Sequence, residues 1–243
     1  MYESGIAQMV ERQWKKWLLL TQHRAGEKPL PFFPTITVSR EKGSGGSSVG
    51  RLVAERLNFV VFDSEIVDEV ARSASVDRLV VEHLDERSRH SIGEWTERIL
   101  HRRSISPETY MAHLTKTIVT IGHKGRAVII GRGAHLLLPA ERCFRVRVVA
   151  PWEARVQRVA AVTGLERSVA ENVVRETDQQ RALFIQENFQ QLDSNPLLFD
   201  LVINTGGMTL DTAAGLVIRG AEANFAHTFE SPATMQHPAA VHE

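Results

Sequence analysis

Five short apolar runs punctuate the chain: residues 35–38 (TITV), 58–62 (NFVVF), 127–130 (AVII), 144–150 (FRVRVVA) and 201–204 (LVIN). Runs of this length, bounded by Gly, Pro or acidic residues, predict strands buried on both faces, as in a parallel sheet. Pro34 precedes the first run, and proline donates no ladder hydrogen bond, so that strand starts after it. Between the runs, apolar positions recur at helical spacing. Val49, Leu52, Val53 and Leu57 mark one helix, and Ile66, Val67, Val70 and Ala71 a second. Leu114, Ile118 and Ile121 mark a third, with its start placed at Ser106-Pro107-Glu108 and its end near His123. Further helices are predicted over 152–162 and 168–189, and from a Thr209 cap to about Asn224. This alternation calls for an α/β fold: a five-stranded parallel sheet with helices on both faces and right-handed crossovers.

The remaining segments read differently. Residues 1–22 form an amphipathic helix with Val10, Trp14, Trp17 and Leu18 on one face. It packs either on its own domain or on a second copy of the chain, because an exposed tryptophan pair is an unusual patch for a monomer. Residues 24–34 are a connector containing Pro29, Pro31 and Pro34. Residues 75–106 read as a small helical insertion whose basic cluster (Arg98, His101, Arg102 and Arg103) is a solvated face. Residues 227–243 carry two prolines and little apolar periodicity, and are expected to be disordered.

Composition narrows the function classes. The chain has 243 residues, and its 29 basic residues equal its 29 acidic ones. Global charge therefore points to no nucleic-acid polymer and no membrane surface. One cysteine, Cys143, excludes an intrachain disulfide and a multi-cysteine zinc site, and its place beside a strand suits a small buried hydrophobe. The apolar run at 17–20 is too short for a secretory signal, and no stretch is long enough to span a bilayer. A soluble cytoplasmic protein is the expectation.

The chemistry gathers at the strand ends. The first strand feeds Gly43-Ser44-Gly45-Gly46-Ser47-Ser48, which runs straight into a helix. Strand, Gly-rich turn and helix N-terminus together make a phosphate cradle, with free backbone N–H groups and a favourable dipole. Asp63 follows the second strand. Arg132 follows the third between Gly131 and Gly133; it faces a ligand or pairs with a core acid. Arg155 and Arg158 sit one turn apart, and Arg175, Asp178 and Arg181 follow at i, i+3 and i+6, either as a surface ladder or as a phosphate-facing set. Guanidinium groups bind phosphate oxygens and keep their charge. Phosphoryl transfer from a nucleoside triphosphate to a monophosphate fits this inventory, because an ionised acceptor phosphate needs no strong base. Hydride transfer fits less well, since the dinucleotide spacing G-x-G-x-x-G is absent.

At these residues the chain resembles the cytidylate kinase-like family of P-loop nucleoside monophosphate kinases. The resembling segments are TITVSREKGSGGSSVGRLVAERL, FDSEIVDEVA, SPETYMAHL, AVIIGRGAHLLL, VRVVAPWEARVQRV, ETDQQR and LFDLVINTGG. The resemblance implies a kinase-like domain over 34–225, preceded by the helix and connector of 1–33 and followed by the tail of 226–243. Within that domain it implies an acceptor-binding insertion at about 64–125 and a lid at about 152–195. It implies ATP on the loop from Gly43 to Ser48, Mg²⁺ beside Ser47, and a nucleoside monophosphate, CMP or dCMP, against Asp63, Arg132, Asp178 and Arg181. Catalysis would fall to Arg40, Lys42, Arg132, Arg158 and Arg181. In the pattern G-x-x-x-x-G-K-[ST], Arg40 takes the first glycine, Gly45 the second and Gly46 the lysine, so Arg40 or Lys42 is expected to supply the missing charge. Gly133 stands where cytidylate kinases carry an aspartate after the arginine, and Arg175 is one position off the expected lid arginine. A nucleotide-binding regulatory or interaction protein with little turnover, and a kinase for another small acceptor, are the alternatives.

Overall fold

The computed structural model describes residues 2–21, 34–72, 86–102 and 109–225. The expectations for the proline-containing connector, for residues 75–85, for Arg103 and for the tail lie outside them. In chain order the elements are α1 (Tyr2–Thr21), β1 (Thr35–Arg40), α2 (Gly46–Leu57), β2 (Val60–Phe62) and α3 (Ser64–Arg72). They continue with α4 (Glu86–Arg102), α5 (Tyr110–Lys124), β3 (Ala127–Ile130), α6 (Ala134–Leu137) and β4 (Cys143–Val149). The last are α7 (Trp152–Thr163), α8 (Arg167–Phe189), a 3₁₀ turn (Pro196–Leu198), β5 (Leu201–Asn204) and α9 (Leu210–Asn224).

The five strands form one parallel sheet in the order β2-β3-β1-β4-β5. β1 lies at its centre, with Ile36 level with Val128 of β3 and Phe144 of β4. Strand alternation divides the core into two layers. Ile36, Val38, Val128, Ile130, Val146 and Val148 pack with residues of α2 and α9. Val60, Phe62, Ala127, Ile129 and Cys143 pack with residues of α1, α3 and α5 on the opposite face. The predicted doubly covered parallel sheet is therefore the observed one.

Two element starts have local reasons. Helix α5 begins at Tyr110, where the Thr109 side chain accepts the Ala112 N–H and caps it; the Ser106-Pro107-Glu108 start lies outside the described residues. Strand β2 begins at Val60, because Asn58 takes a left-handed conformation (φ 52°) that closes α2.

Of the two expectations for α1, packing on its own domain is the arrangement seen. Trp14 and Trp17 are buried and meet edge-to-face at 5.0 Å, and both contact Phe62 the same way, at 6.0 and 5.6 Å. The Trp17 indole N–H donates to the Gly125 carbonyl at 2.9 Å, which satisfies its one polar atom. Among the described residues no helix is long and apolar enough to cross a membrane.

Candidate functional site

The site lies at the C-terminal end of the sheet, where β1 hands over to α2. Gly43 and Gly45 have φ of 80° and 81°, values that a side chain rarely adopts. A Cβ on Gly43 would also stand 2.5 Å from the Arg155 carbonyl oxygen. Ser44 is buried; its hydroxyl donates to the Glu41 carbonyl at 2.9 Å, and its own carbonyl accepts the Thr205 hydroxyl at 2.7 Å. Its side chain thus shapes the loop from inside. The N–H groups of Gly43, Gly45, Ser47 and Ser48 have no acceptor among the described residues. They stand beside the positive end of α2, the arrangement that holds phosphate.

Helices α7 and α8 close over this loop through its backbone. Arg155 donates to the Lys42 carbonyl at 3.3 Å, Arg158 to the Gly43 carbonyl at 2.6 Å and Arg181 to the Arg40 carbonyl at 3.1 Å. Asp178 accepts the Lys42 N–H at 2.6 Å and forms an ion pair with Arg155. Glu41 also faces Arg155 at 3.4 Å and accepts the Ala150 N–H at 3.1 Å. Asp178 and Arg155 are therefore spent on holding loop and helices together, while Arg158 and Arg181 keep N–H groups for a ligand. Arg175 stays outside this set: it is exposed, bonded to Asn172 at 3.1 Å and stacked over Trp152.

Two cavities open here. One of ≈ 310 Å³ is lined by Lys42, Gly43, Gly46, Ser47, Ser48 and Arg158, with Val159 and Val162 as an apolar wall. The other, ≈ 220 Å³, lies toward β3 and is lined by Arg132, His135, Gln180, Phe184 and Asp193. Arg40 and Arg181 line both. No ion pair or hydrogen bond holds the Arg40 guanidinium among the described residues, and its buried Nε has no partner. Burial first, then the like charges of Arg181 and Arg132, push its pKa down to about 9.

Arg132 has φ of 53° and reaches Asp68 with two hydrogen bonds, one of 2.5 Å from Nε. The Tyr110 hydroxyl donates to the same carboxylate at 2.6 Å. Bonding to Asp68 is the main cause that holds the Arg132 guanidinium above its ordinary pKa. The core-acid pairing expected as one alternative is thus present, yet Arg132 also lines the smaller cavity, its guanidinium 5.4 Å from the Phe184 ring. Asp63 caps α3 by accepting the Ile66 N–H at 3.3 Å and pairs with Arg51 at 3.3 Å; it lines neither cavity. Ser47 lines the larger cavity, and no cluster of His, Cys, Asp or Glu among the described residues could itself hold a metal ion.

Sequence reasoning missed several residues that the fold brings in. Asp193 accepts the Ser39 hydroxyl at 3.1 Å and pairs with Arg147 at 2.6 Å. His135 is buried against Phe199 with ring centres 4.7 Å apart, its Nε2 has no partner, and burial pushes its pKa down to about 4. One signal was readable: Arg145 and Arg147 alternate with apolar residues in β4, so both point to one face. The stretch carrying Asp193, between α8 and the 3₁₀ turn, has no such pattern.

The profile of the cytidylate kinase-like family matches residues 35–207. Among solved structures, an uncharacterized protein from Eubacterium ventriosum ATCC 27560 superposes with a TM-score of 0.63 at 22% identity, covering 78% of this chain and 98% of that one. Its likeness shows the fold. A shikimate kinase from Acinetobacter baumannii gives 0.43 at 16% identity, covering 83% and 98%, too distant to bear on chemistry. A 92-residue stretch is 34% identical to a uronate isomerase from Corynebacterium glutamicum, covering 37% of this chain and 18% of that protein. The chain spans less than a fifth of that curated relative, and no isomerase chemistry follows from it.

Proposed function

The chain belongs to the cytidylate kinase-like family, and from that premise we propose that it transfers the γ-phosphoryl group of ATP to a nucleoside monophosphate, CMP or dCMP first among them. The observation that carries this reading is the pair of cavities meeting at Arg40 and Arg181. A donor and an acceptor placed one in each would have their phosphates converge on those two guanidinium groups. The loop suits a triphosphate, because its unpartnered N–H groups and the α2 terminus offer donors that no protein atom uses. Mg²⁺, held by phosphate oxygens and the Ser47 hydroxyl, would neutralise part of the triphosphate charge.

In this reading the acceptor's phosphate oxygen attacks in line, and ADP leaves from the loop. The acceptor phosphate is ionised near neutral pH, so the protein's task is positioning and charge neutralisation. Arg158 faces the donor phosphates, Arg181 faces the transferring group, and Arg132 faces the acceptor beside Phe184. Lys42, which lines the larger cavity, adds positive charge on the donor side. Asp178 acts from behind, through the loop. A soluble cytoplasmic setting, where both nucleotides are supplied, belongs to the same reading.

The test is ADP formation by the purified protein with ATP, Mg²⁺ and CMP, dCMP, UMP, AMP or no acceptor. Acceptor-dependent ADP, greatest with a cytidine nucleotide, is the expected result. ATP binding without acceptor-dependent turnover would favour the second reading, a nucleotide-holding protein, which Gly46 in the lysine position supports.

A further inference from the structure

We propose that Arg40 is the catalytic cation of this site, reaching from the end of β1 into the space that a loop lysine serves in P-loops of the G-x-x-x-x-G-K-[ST] pattern. The inference rests on the phosphoryl-transfer reading and names the group that makes it workable without that lysine. Arg40 is the last residue of the central strand, its backbone level with Val148 of β4 and its carbonyl accepting from Arg181 at 3.1 Å. Its side chain then crosses beneath the loop. A Cβ on Gly46 would lie 2.5 Å from the Arg40 Cβ and 3.0 Å from the Val148 Cβ. No side chain, lysine included, fits at position 46 while Arg40 is present. At the far end, a Cβ on Gly131 would collide with Nη1 of Arg40. Two glycines therefore leave the room that this one side chain occupies.

The side chain runs between the two halves of the site: its Cβ lies beside Gly46 under the donor loop and its Nη1 beside Gly131 on the acceptor side. Arg40 borders the donor-side cavity, the acceptor-side cavity and a third one of ≈ 200 Å³ beside Asp193. Lys42, the other candidate, lines the donor-side cavity alone of the three, and its backbone is held by Asp178. Most arginines around the loop are engaged: Arg155 with Asp178, Arg132 with Asp68, Arg158 and Arg181 with loop carbonyls. Arg40 feels the like charges of Arg181 and Arg132 and, less strongly, the carboxylates of Asp63 and Asp193; it forms no ion pair with either acid among the described residues, a state that an anionic ligand relieves.

The step balances simply. An oxygen of the acceptor phosphate forms a bond to the γ-phosphorus as the bond from that phosphorus to the β–γ bridging oxygen breaks. The electron pair of the broken bond stays on the β-phosphate of the departing ADP. Arg40 keeps its protons throughout and donates hydrogen bonds to the transferring group and the charge developing on the bridging oxygen.

Inorganic tripolyphosphate probes the phosphate site without a base or an acceptor. Wild-type protein should gain thermal stability from it, and Arg40→Gln should lose at least ten-fold in its affinity while remaining folded, since the substitution removes an unpaired buried charge. Turnover in Arg40→Gln should fall by about 10²–10³-fold, the usual effect of removing one donor aimed at developing charge. Arg40→Gly combined with Gly46→Lys should recover at least ten-fold over Arg40→Gly alone. Tripolyphosphate affinity in Arg40→Gln within three-fold of wild type would overturn the assignment. Because that binding assay needs no acceptor, a wild type that binds tripolyphosphate but phosphorylates no nucleotide would refute the kinase reading, while the binding comparison still decides Arg40.

Discussion

Arg132 shows how one residue can serve both alternatives that its sequence context left open. Glycine on either side predicts a close approach to a ligand, and the guanidinium does border the acceptor-side cavity. The same guanidinium neutralises Asp68, a carboxylate that is only 8% exposed. Removing the arginine leaves that acid with Tyr110 alone. Arg132→Ala should therefore lower stability by about 2–3 kcal/mol and also abolish turnover. Adding Asp68→Ala should restore most of the stability, measured by urea unfolding, and none of the activity. Recovery of activity in the pair would make Arg132 structural. The acid partner was not legible beforehand, because Asp68 lies mid-helix among ordinary surface-type charges and only the fold turns it inward. Asp63 is the converse: its position at a strand end was read correctly, and its carboxylate is taken up by a helix cap and Arg51.

Among the elements, strands β1, β3, β4 and β5 were legible because each is an apolar run closed by glycine, proline or a charge. Helices α8 and α9 were legible through their periodicity and, for α9, the Thr209 cap. The four-residue α6 was not, since one turn carries no period. The relation of α8 to the loop was also invisible, for it depends on a carboxylate accepting a backbone N–H 136 residues away. That relation makes a prediction at this scale. Asp178 ties α8 to the Lys42 N–H and to Arg155, and it does not line the acceptor-side cavity. In Asp178→Ala the KM for ATP should rise about ten-fold, equivalent to about 1.4 kcal/mol of loop positioning, while the KM for the acceptor stays within about two-fold. Steady-state kinetics with each substrate varied in turn would show it. A rise in the acceptor KM instead would place Asp178 against the acceptor nucleotide, the role the family resemblance implies.

At the scale of the whole molecule, composition announced an electrically neutral chain and no polyanionic partner, with 29 charges of each sign. The fold sorts those charges unevenly. Ion pairs Arg145–Asp200 and Arg147–Asp193 hold β4 to the segment between α8 and β5. Arg40, Arg132, Arg158 and Arg181 line the two cavities, and Arg40 has no ion pair among the described residues. The unpaired guanidinium thus acts before any bond is made. A neutral sphere exerts no pull at long range, yet a concave positive spot in a low-dielectric wall focuses its field outward over roughly one Debye length, about 10 Å at 0.1 M salt. Incoming nucleotide should be captured faster than its diffusion to a featureless surface allows. The kcat/KM for ATP should then fall steadily as ionic strength rises from about 0.01 to 0.15 M, more steeply than in Arg40→Gln, and a response equally flat in both would show that the arginine steers nothing.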